Sequence, residues 1–186
     1  MNPAGRLPFT WGKRLEDYAA TDPAHPERSA KGVNGATTFS EGVHVGYRWF
    51  DKQKTAPLFP FGFGLSYTKF EYSGLKVVPA ADGGLDVSLE IKNTGGVGGD
   101  EVPQVYLGAP AQRGKGVDFP VHALAAFERI HLDAGQSQSV SLHVVPRRLE
   151  SWSTAEKKWI KPAGPREVLV GSSSRNLPLS TQVTIQ

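Results

Sequence analysis

The chain has 186 residues, 39% hydrophobic and 21% charged, enough apolar material for one sizeable core plus a substantial arm. Its 21 Lys+Arg against 18 Asp+Glu leave a net charge of only +3, with no long basic block, which disfavours a nucleic-acid partner. Zero cysteines exclude disulfides and thiolate chemistry. No apolar run approaches the roughly 18 residues of a spanning helix, and the N-terminus lacks a basic-then-apolar export pattern. No membrane partner is expected, and no compartment is assigned. Gly 21 and Pro 14 are high for a helical protein and point to turn-rich β structure.

Residues 1–57 are rich in aromatics but too broken to build their own core, and read as an arm that must lie on something else. Asn2-Pro3-Ala4-Gly5 is turn chemistry, after which Leu7, Phe9 and Trp11 alternate with Pro8 and Thr10. Leu15–Tyr18 predicts a short helical turn, and Thr21–Gly35, with Pro23 and Pro26, an exposed loop. Val43, Val45, Tyr47 and Trp49 recur at period two across Glu41–Phe50, which predicts a strand with His44, Gly46, Arg48 and Phe50 on its other face.

Leu58–Tyr72 carries Phe59, Phe61, Phe63, Leu65 and Tyr67 at every second position, separated by Pro60, Gly62, Gly64, Ser66 and Thr68. The pattern predicts an extended aromatic strap whose other face is bare enough for a backbone or flat ring to approach closely. Phe70 and Tyr72 fall on the opposite parity, so a bend is expected near Thr68-Lys69.

Beyond Phe70, short strands and turns alternate. Leu85, Val87, Leu89 and Ile91 alternate with polar residues, and Val140, Leu142 and Val144 do the same. Val102–Leu107, Leu124–Leu132, Arg148–Trp152, Lys158–Lys161, Glu167–Val170 and Pro178–Ile185 read as further strands, with Pro103 marking an edge or bulge. Thr94–Gly99 reads as a hairpin turn, and Arg113-Gly114-Lys115-Gly116 as a loop. Roughly seven to nine short strands with turns throughout predict a two-sheet sandwich.

Catalytic chemistry finds little support. There is no G-x-S-x-G elbow, and the 5 histidines have no metal-ligand spacing. No metal or cofactor is expected. Thr94–Gly99 lacks the Lys-Ser/Thr of a phosphate loop and precedes no helix. Two carboxylates astride a sugar would suit glycoside hydrolysis, and Glu41, Asp51, Asp100 and Glu101 are the candidates. Asp100-Glu101 follows a turn and reads as a tie to loop N–H groups; Glu41 and Asp51 flank the Val43–Phe50 strand, with Arg48 available as an ion-pair partner. Tryptophans in a sandwich are more often core than sugar platforms, so most of Trp11, Trp49, Trp152 and Trp159 are expected to be buried. Trp152 and Trp159 flank the turn Ser153–Lys157, a placement for stacking across a hairpin. His143 lies on the wet face of its strand.

The blocks NPAGRLPFTW (2–11), EGVHVGYRWFD (41–51), FPFGFGLSYTKFEY (59–72), IKNTGGVGGDEVPQVYL (91–107), LAAFERIHLDAGQSQSV (124–140) and REVLVGSSSRNLPL (166–179) resemble the C-terminal end of family 3 glycoside hydrolases, chiefly β-glucosidases and β-xylosidases. The resemblance implies an all-β, fibronectin type III-like (immunoglobulin-like) β-sandwich over 67–186. It makes 1–66 an extended, mostly irregular N-terminal arm, the remnant of a preceding α/β sandwich domain plus the aromatic linker. In that family the nucleophilic aspartate and the acid/base glutamate lie upstream, and neither motif occurs here. No catalytic residue is therefore assigned. Trp152-Ser153, Arg166 and Pro103 depart from the family pattern in detail.

The resemblance thus implies a truncated, non-catalytic structural module that braces the catalytic domains of a retaining β-glucosidase acting on terminal β-D-glucosides. The alternatives are residual hydrolase activity and a module that binds β-glucan or oligosaccharide. Candidate carbohydrate or interdomain contacts are Trp49, Phe50, Asp51, Phe61, Phe63, Trp152 and Trp159. With its family partner absent, the apolar arm is expected to fold onto its own sandwich, to be disordered, or to pair with a second copy.

Overall fold

A computed structural model describes residues 2–114 and 116–186; Met1 and Lys115, the latter in the predicted 113–116 loop, lie outside the described residues. The strands begin at Phe70 with β1 (Phe70–Pro79), β2 (Leu85–Asn93), β3 (Gly99–Glu101), β4 (Gln104–Gly108) and β5 (His122–Phe127). They continue with β6 (Ile130–Leu132), β7 (Ser137–Val144), β8 (Ser151–Ser153), β9 (Lys158–Ile160), β10 (Gly164–Gly171) and β11 (Leu179–Ile185). One antiparallel sheet has the order β1-β2-β7 and a second the order β11-β10-β4-β5. The short ladders β3-β6 and β8-β9 complete the set. This is the two-sheet all-β sandwich that the strand spacing predicts.

Period-two alternation fixes the register. Leu85, Val87 and Leu89 of β2 stand opposite Val144, Leu142 and Val140 of β7, so a one-residue slip would turn both apolar rows outward. These rows meet Val105 and Leu107 of β4, Val168 and Val170 of β10, and Val183 and Ile185 of β11 in one core. Each such fully buried side chain contributes about 1.5–3 kcal/mol.

β4 breaks the alternation, because all five of its residues are buried. Val105 and Leu107 face the core; Gln104 and Tyr106 face the other way and are covered by the arm. The side-chain amide of Gln104 donates to Gly62 O (3.3 Å), and the Tyr106 ring meets Tyr47 edge-on at 5.9 Å. Pro103 lies in the gap between β3 and β4, where the chain leaves one ladder for another.

Several expectations are corrected. The 94–98 loop is no hairpin, since β2 pairs with β1 and β7 whereas β3 pairs with β6. Leu124–Leu132 splits into β5 and β6 around Glu128 and Arg129. The first half of Arg148–Trp152 belongs to a 3-10 turn, Pro146–Leu149, which opens on the ring-locked φ of Pro146.

The larger correction lies in the arm. Glu41–Phe50 forms no strand; Tyr47–Lys52 is a short α-helix, α1. Gly46 has φ +59, which ends any extended run before the helix. Tyr47, Phe50 and Asp51 then share one face at i, i+3 and i+4 and are buried together. A helix of six residues has little intrinsic stability, so packing on the sandwich holds it. The predicted turn at Leu15 is a 3-10 helix, Leu15–Asp17.

The strap is bent rather than extended. Phe63 N–H donates to Pro60 O (3.1 Å) in a turn that places Gly62 at φ +80. The turn sorts the rings. Phe59 and Phe63 stack on each other at 5.2 Å, Phe61 stacks on Tyr47 at 5.0 Å, and Leu65 and Tyr67 stay exposed. The bare positions do admit close neighbours. A Cβ on Gly62 would collide with the Gln104 amide, and one on Gly64 with Gly5 O and Arg6. The second backbone is that of residues 7–11, with Leu7 N–H donating to Phe63 O and Trp11 N–H to Phe59 O, both at 2.8 Å.

Candidate functional site

The arm is fastened to the sandwich by buried polar groups. Arg6 donates to Glu101 at 2.7 Å, with both side chains largely shielded from solvent. Gln104 Nε2 donates to Ser172 O (2.7 Å) as well as to Gly62 O, while its Oε1 accepts from Tyr106 Oη (2.6 Å). Leu124 N–H donates to Tyr47 Oη at 2.8 Å, and His44 Nε2 meets Asp118 Oδ2 at 2.7 Å. Burial, reinforced by Glu101, pushes the Tyr72 phenol pKa up, so that hydroxyl stays protonated.

The candidate carboxylates are all engaged by cations. Asp51 lies 3.1 Å from Arg175 and 3.6 Å from His122; Glu41 lies 3.6 Å from Arg28. Neither turns to Arg48. Glu101 takes Arg6 together with the Val102 N–H, and Asp100 takes His131 and Arg129. His131 first and Arg129 second hold the Asp100 carboxyl below its usual range. Only Glu101 ties a neighbouring loop N–H in the way expected of the Asp100-Glu101 pair. Among the described residues, no cluster of three or more His, Cys, Asp or Glu is placed to hold a metal ion.

The predicted contact residues separate into three groups. Trp49 and Phe50 are internal: Trp49 is 4% exposed, donates Nε1–H to Asp17 O (3.1 Å), and has the Arg28 guanidinium 5.0 Å from its ring. Phe50 meets Tyr18 edge-on at 5.6 Å, and Asp51 is buried beside them. Phe61 is part of the junction. Phe63, by contrast, continues into an open surface of rings: Phe63 on Phe59 at 5.2 Å, Phe59 on Trp11 at 6.4 Å, Trp11 on Phe9 at 5.8 Å. Trp11 is 50% exposed, and Phe9 and Leu58 are exposed beside it.

Trp152 and Trp159 form the third group. They are opposite residues of the β8-β9 hairpin, edge-to-face at 5.7 Å, as their flanking turn predicts. The expectation that most tryptophans are core is overturned, since Trp11, Trp152 and Trp159 are each about half exposed at 50%, 47% and 49%. The hairpin is a separate ladder of three-residue strands outside both main sheets, which leaves both indoles part exposed. Beside it lies a groove of about 830 Å³ whose walls include Arg48, Phe119, Arg147, Arg148 and Arg166.

Sequence reasoning missed two residues of this architecture. Gln104 bridges strap, strand and the 172–174 segment; its signal was a polar residue heading an apolar strand. Asn93 is fully buried, donating to Val97 O (2.9 Å) and Leu132 O (3.0 Å) and accepting from Thr68 Oγ1 (2.5 Å) and Gly95 N–H (3.1 Å).

Residues 101–174 match the fibronectin type III-like domain. Over 99% of its length the chain is similar to the probable beta-glucosidase M of Aspergillus flavus, at 40% identity, covering 26% of that protein. Beta-glucosidase BoGH3A of Bacteroides ovatus is 36% identical over 95% of the chain and 23% of its own length. Among solved structures, DesR, a beta-glucosidase from Streptomyces venezuelae in complex with D-glucose, superposes with a TM-score of 0.93 at 37% identity, over 100% of this chain and 23% of that one. Beta-glucosidase 3B from Thermotoga neapolitana does so with a TM-score of 0.85 at 36% identity, covering 25% of that chain. The chain is kin to the C-terminal, fibronectin type III-like region of family 3 β-glucosidases. It spans about a quarter of the length of the curated relatives it matches, 26% for the first. The matched domain runs from the end of β3 to just past β10. The arm and strap lie outside that span but inside the structural match.

Proposed function

We propose that the chain is a non-catalytic module that braces the catalytic domains of a family 3 β-glucosidase, itself a retaining hydrolase of terminal β-D-glucosides. Residues 67–186 supply the rigid sandwich, and residues 1–66 supply the contact. The observation that carries this reading is the row Phe9, Trp11, Phe59 and Phe63, left open on an arm whose opposite side is pinned by Arg6–Glu101, Gln104 and Tyr47. Contiguous exposed rings on a fixed backbone favour burial against another apolar surface. The candidate acids support the same reading, because each is already committed to an arginine or histidine of this chain.

The test places Trp11→Ser and Phe59→Ser together in the intact β-glucosidase. The expected result is an unchanged KM for a β-glucoside with thermal inactivation faster by about tenfold, since lost interface contacts act on the unfolding barrier. An inactivation rate equal to that of the parent would contradict the proposal. So would β-glucoside turnover by the purified chain that one carboxylate substitution abolishes.

A further inference from the structure

Arg166 opens the buried part of β10, is only 4% exposed, and lines the groove beside the Trp152–Trp159 hairpin. Its Nε and Nη1 are buried and find no hydrogen-bond partner among the described residues. The Phe119 ring, 5.5 Å away, attracts the cation but offers it no acceptor oxygen. Burial pushes the guanidinium pKa down to about 10, so the group remains charged near neutrality. A buried guanidinium without an anion is costly, and its planar fork is matched to a carboxylate.

The acids around the groove are already taken. Glu150 pairs with Arg147 at 3.0 Å and Asp118 with His44 at 2.7 Å. Arg48, Arg148 and Arg166 are therefore left as surplus positive charge. The other wall is apolar: Trp152 and Trp159, set edge-to-face, are half exposed, and Arg147 lies 4.1 Å from the Trp159 ring and covers it, which leaves the Trp152 indole as the platform. The groove volume of about 830 Å³ falls in the range of small-molecule sites.

We propose that this groove binds a uronate-bearing oligosaccharide, with the sugar carboxylate on Arg166 and a pyranose face against the Trp152 indole. A ligand carrying one carboxylate and one flat ring face engages both walls. An acidic peptide would leave that indole idle, and a neutral glucan would leave the guanidinium unpaired. The proposal is independent of the bracing reading, because Phe9, Trp11 and Phe59 take no part in the groove.

The test follows tryptophan emission of the whole chain during titration with a galacturonate trisaccharide, cellotriose and triglutamate. The trisaccharide is expected to shift the emission, with affinity falling as salt rises, and the other two to bind at least about tenfold more weakly. Arg166→Met should abolish the response while melting no lower than the parent, because an unpaired buried charge has been removed. Trp152→Ala, at an exposed position, should weaken binding by about tenfold and keeps the test decisive where Arg166→Met folds poorly. Equal binding of cellotriose or triglutamate, no response to the trisaccharide, or an unaltered response in Trp152→Ala overturns the proposal.

Discussion

His143 reads from sequence as a solvated surface histidine, and it is exposed, yet it is bracketed by Asp86 (2.8 Å) and Asp82 (3.0 Å). His131 sits in the same way on Asp100 at 2.6 Å. These bonds raise both imidazoles above their ordinary 6.5. The folded chain thus holds the two protons more tightly than the unfolded chain does. That stabilisation is complete below 6.5 and is lost as pH rises through the folded-state values. The acids behave oppositely: Asp82, chiefly through the Gly84 N–H, and Asp100, chiefly through His131, are held below 3.8. Their contribution is lost as pH falls through those depressed values. Denaturation midpoints measured across pH should therefore peak in the weakly acidic range, and replacing both histidines by Gln should flatten the decline on the alkaline side. Nothing in the local pattern revealed this, because Asp82 and Asp86 come beside His143 only through the β2-β7 pairing, which sets Asp86 opposite His143.

The elements legible in the chain are those with one wet and one dry face. β2 and β7 show clean alternation because solvent covers one side of their sheet. β4 loses the pattern because the arm covers its outer face, and Pro103 obscures where it begins. α1 was hidden by coincidence: Val43, Val45, Tyr47 and Trp49 mimic a strand, while the pairing that matters is Tyr47 with Phe50. The hairpin tryptophans were legible from the turn between them, whereas the groove around Arg166 was not, because it needs the arm, the 116–120 loop and the hairpin to converge. Asn93 shows what a buried amide does for one element. Its four bonds stitch the 94–97 turn to Thr68 and Leu132. Asn93→Ala leaves these groups unsatisfied and should cost about 3 kcal/mol in chemical denaturation, with faster hydrogen exchange at Gly95.

For the molecule as a whole, the main core contains only sandwich residues, whereas the arm packs Trp49 and Phe50 within itself and sets Tyr47 against the outer side of β4. A chain beginning at Thr68 should therefore fold, with the far-ultraviolet signal of a β protein. It should melt at least about 5 °C lower and bind a hydrophobic dye, because Tyr106 and Gln104 would be uncovered. Failure of that shortened chain to fold would mean that the arm is part of the core. The Asn2 side chain has one more effect. Its carbonyl accepts the Tyr67 N–H at 2.7 Å across 65 positions, closing the whole arm into a loop beside the start of β1. A tug on Asn2 is consequently shared between this clasp and the ties just behind it, Arg6 on Glu101 and Leu7 on Phe63, and reaches the sandwich before the rest of the arm is strained.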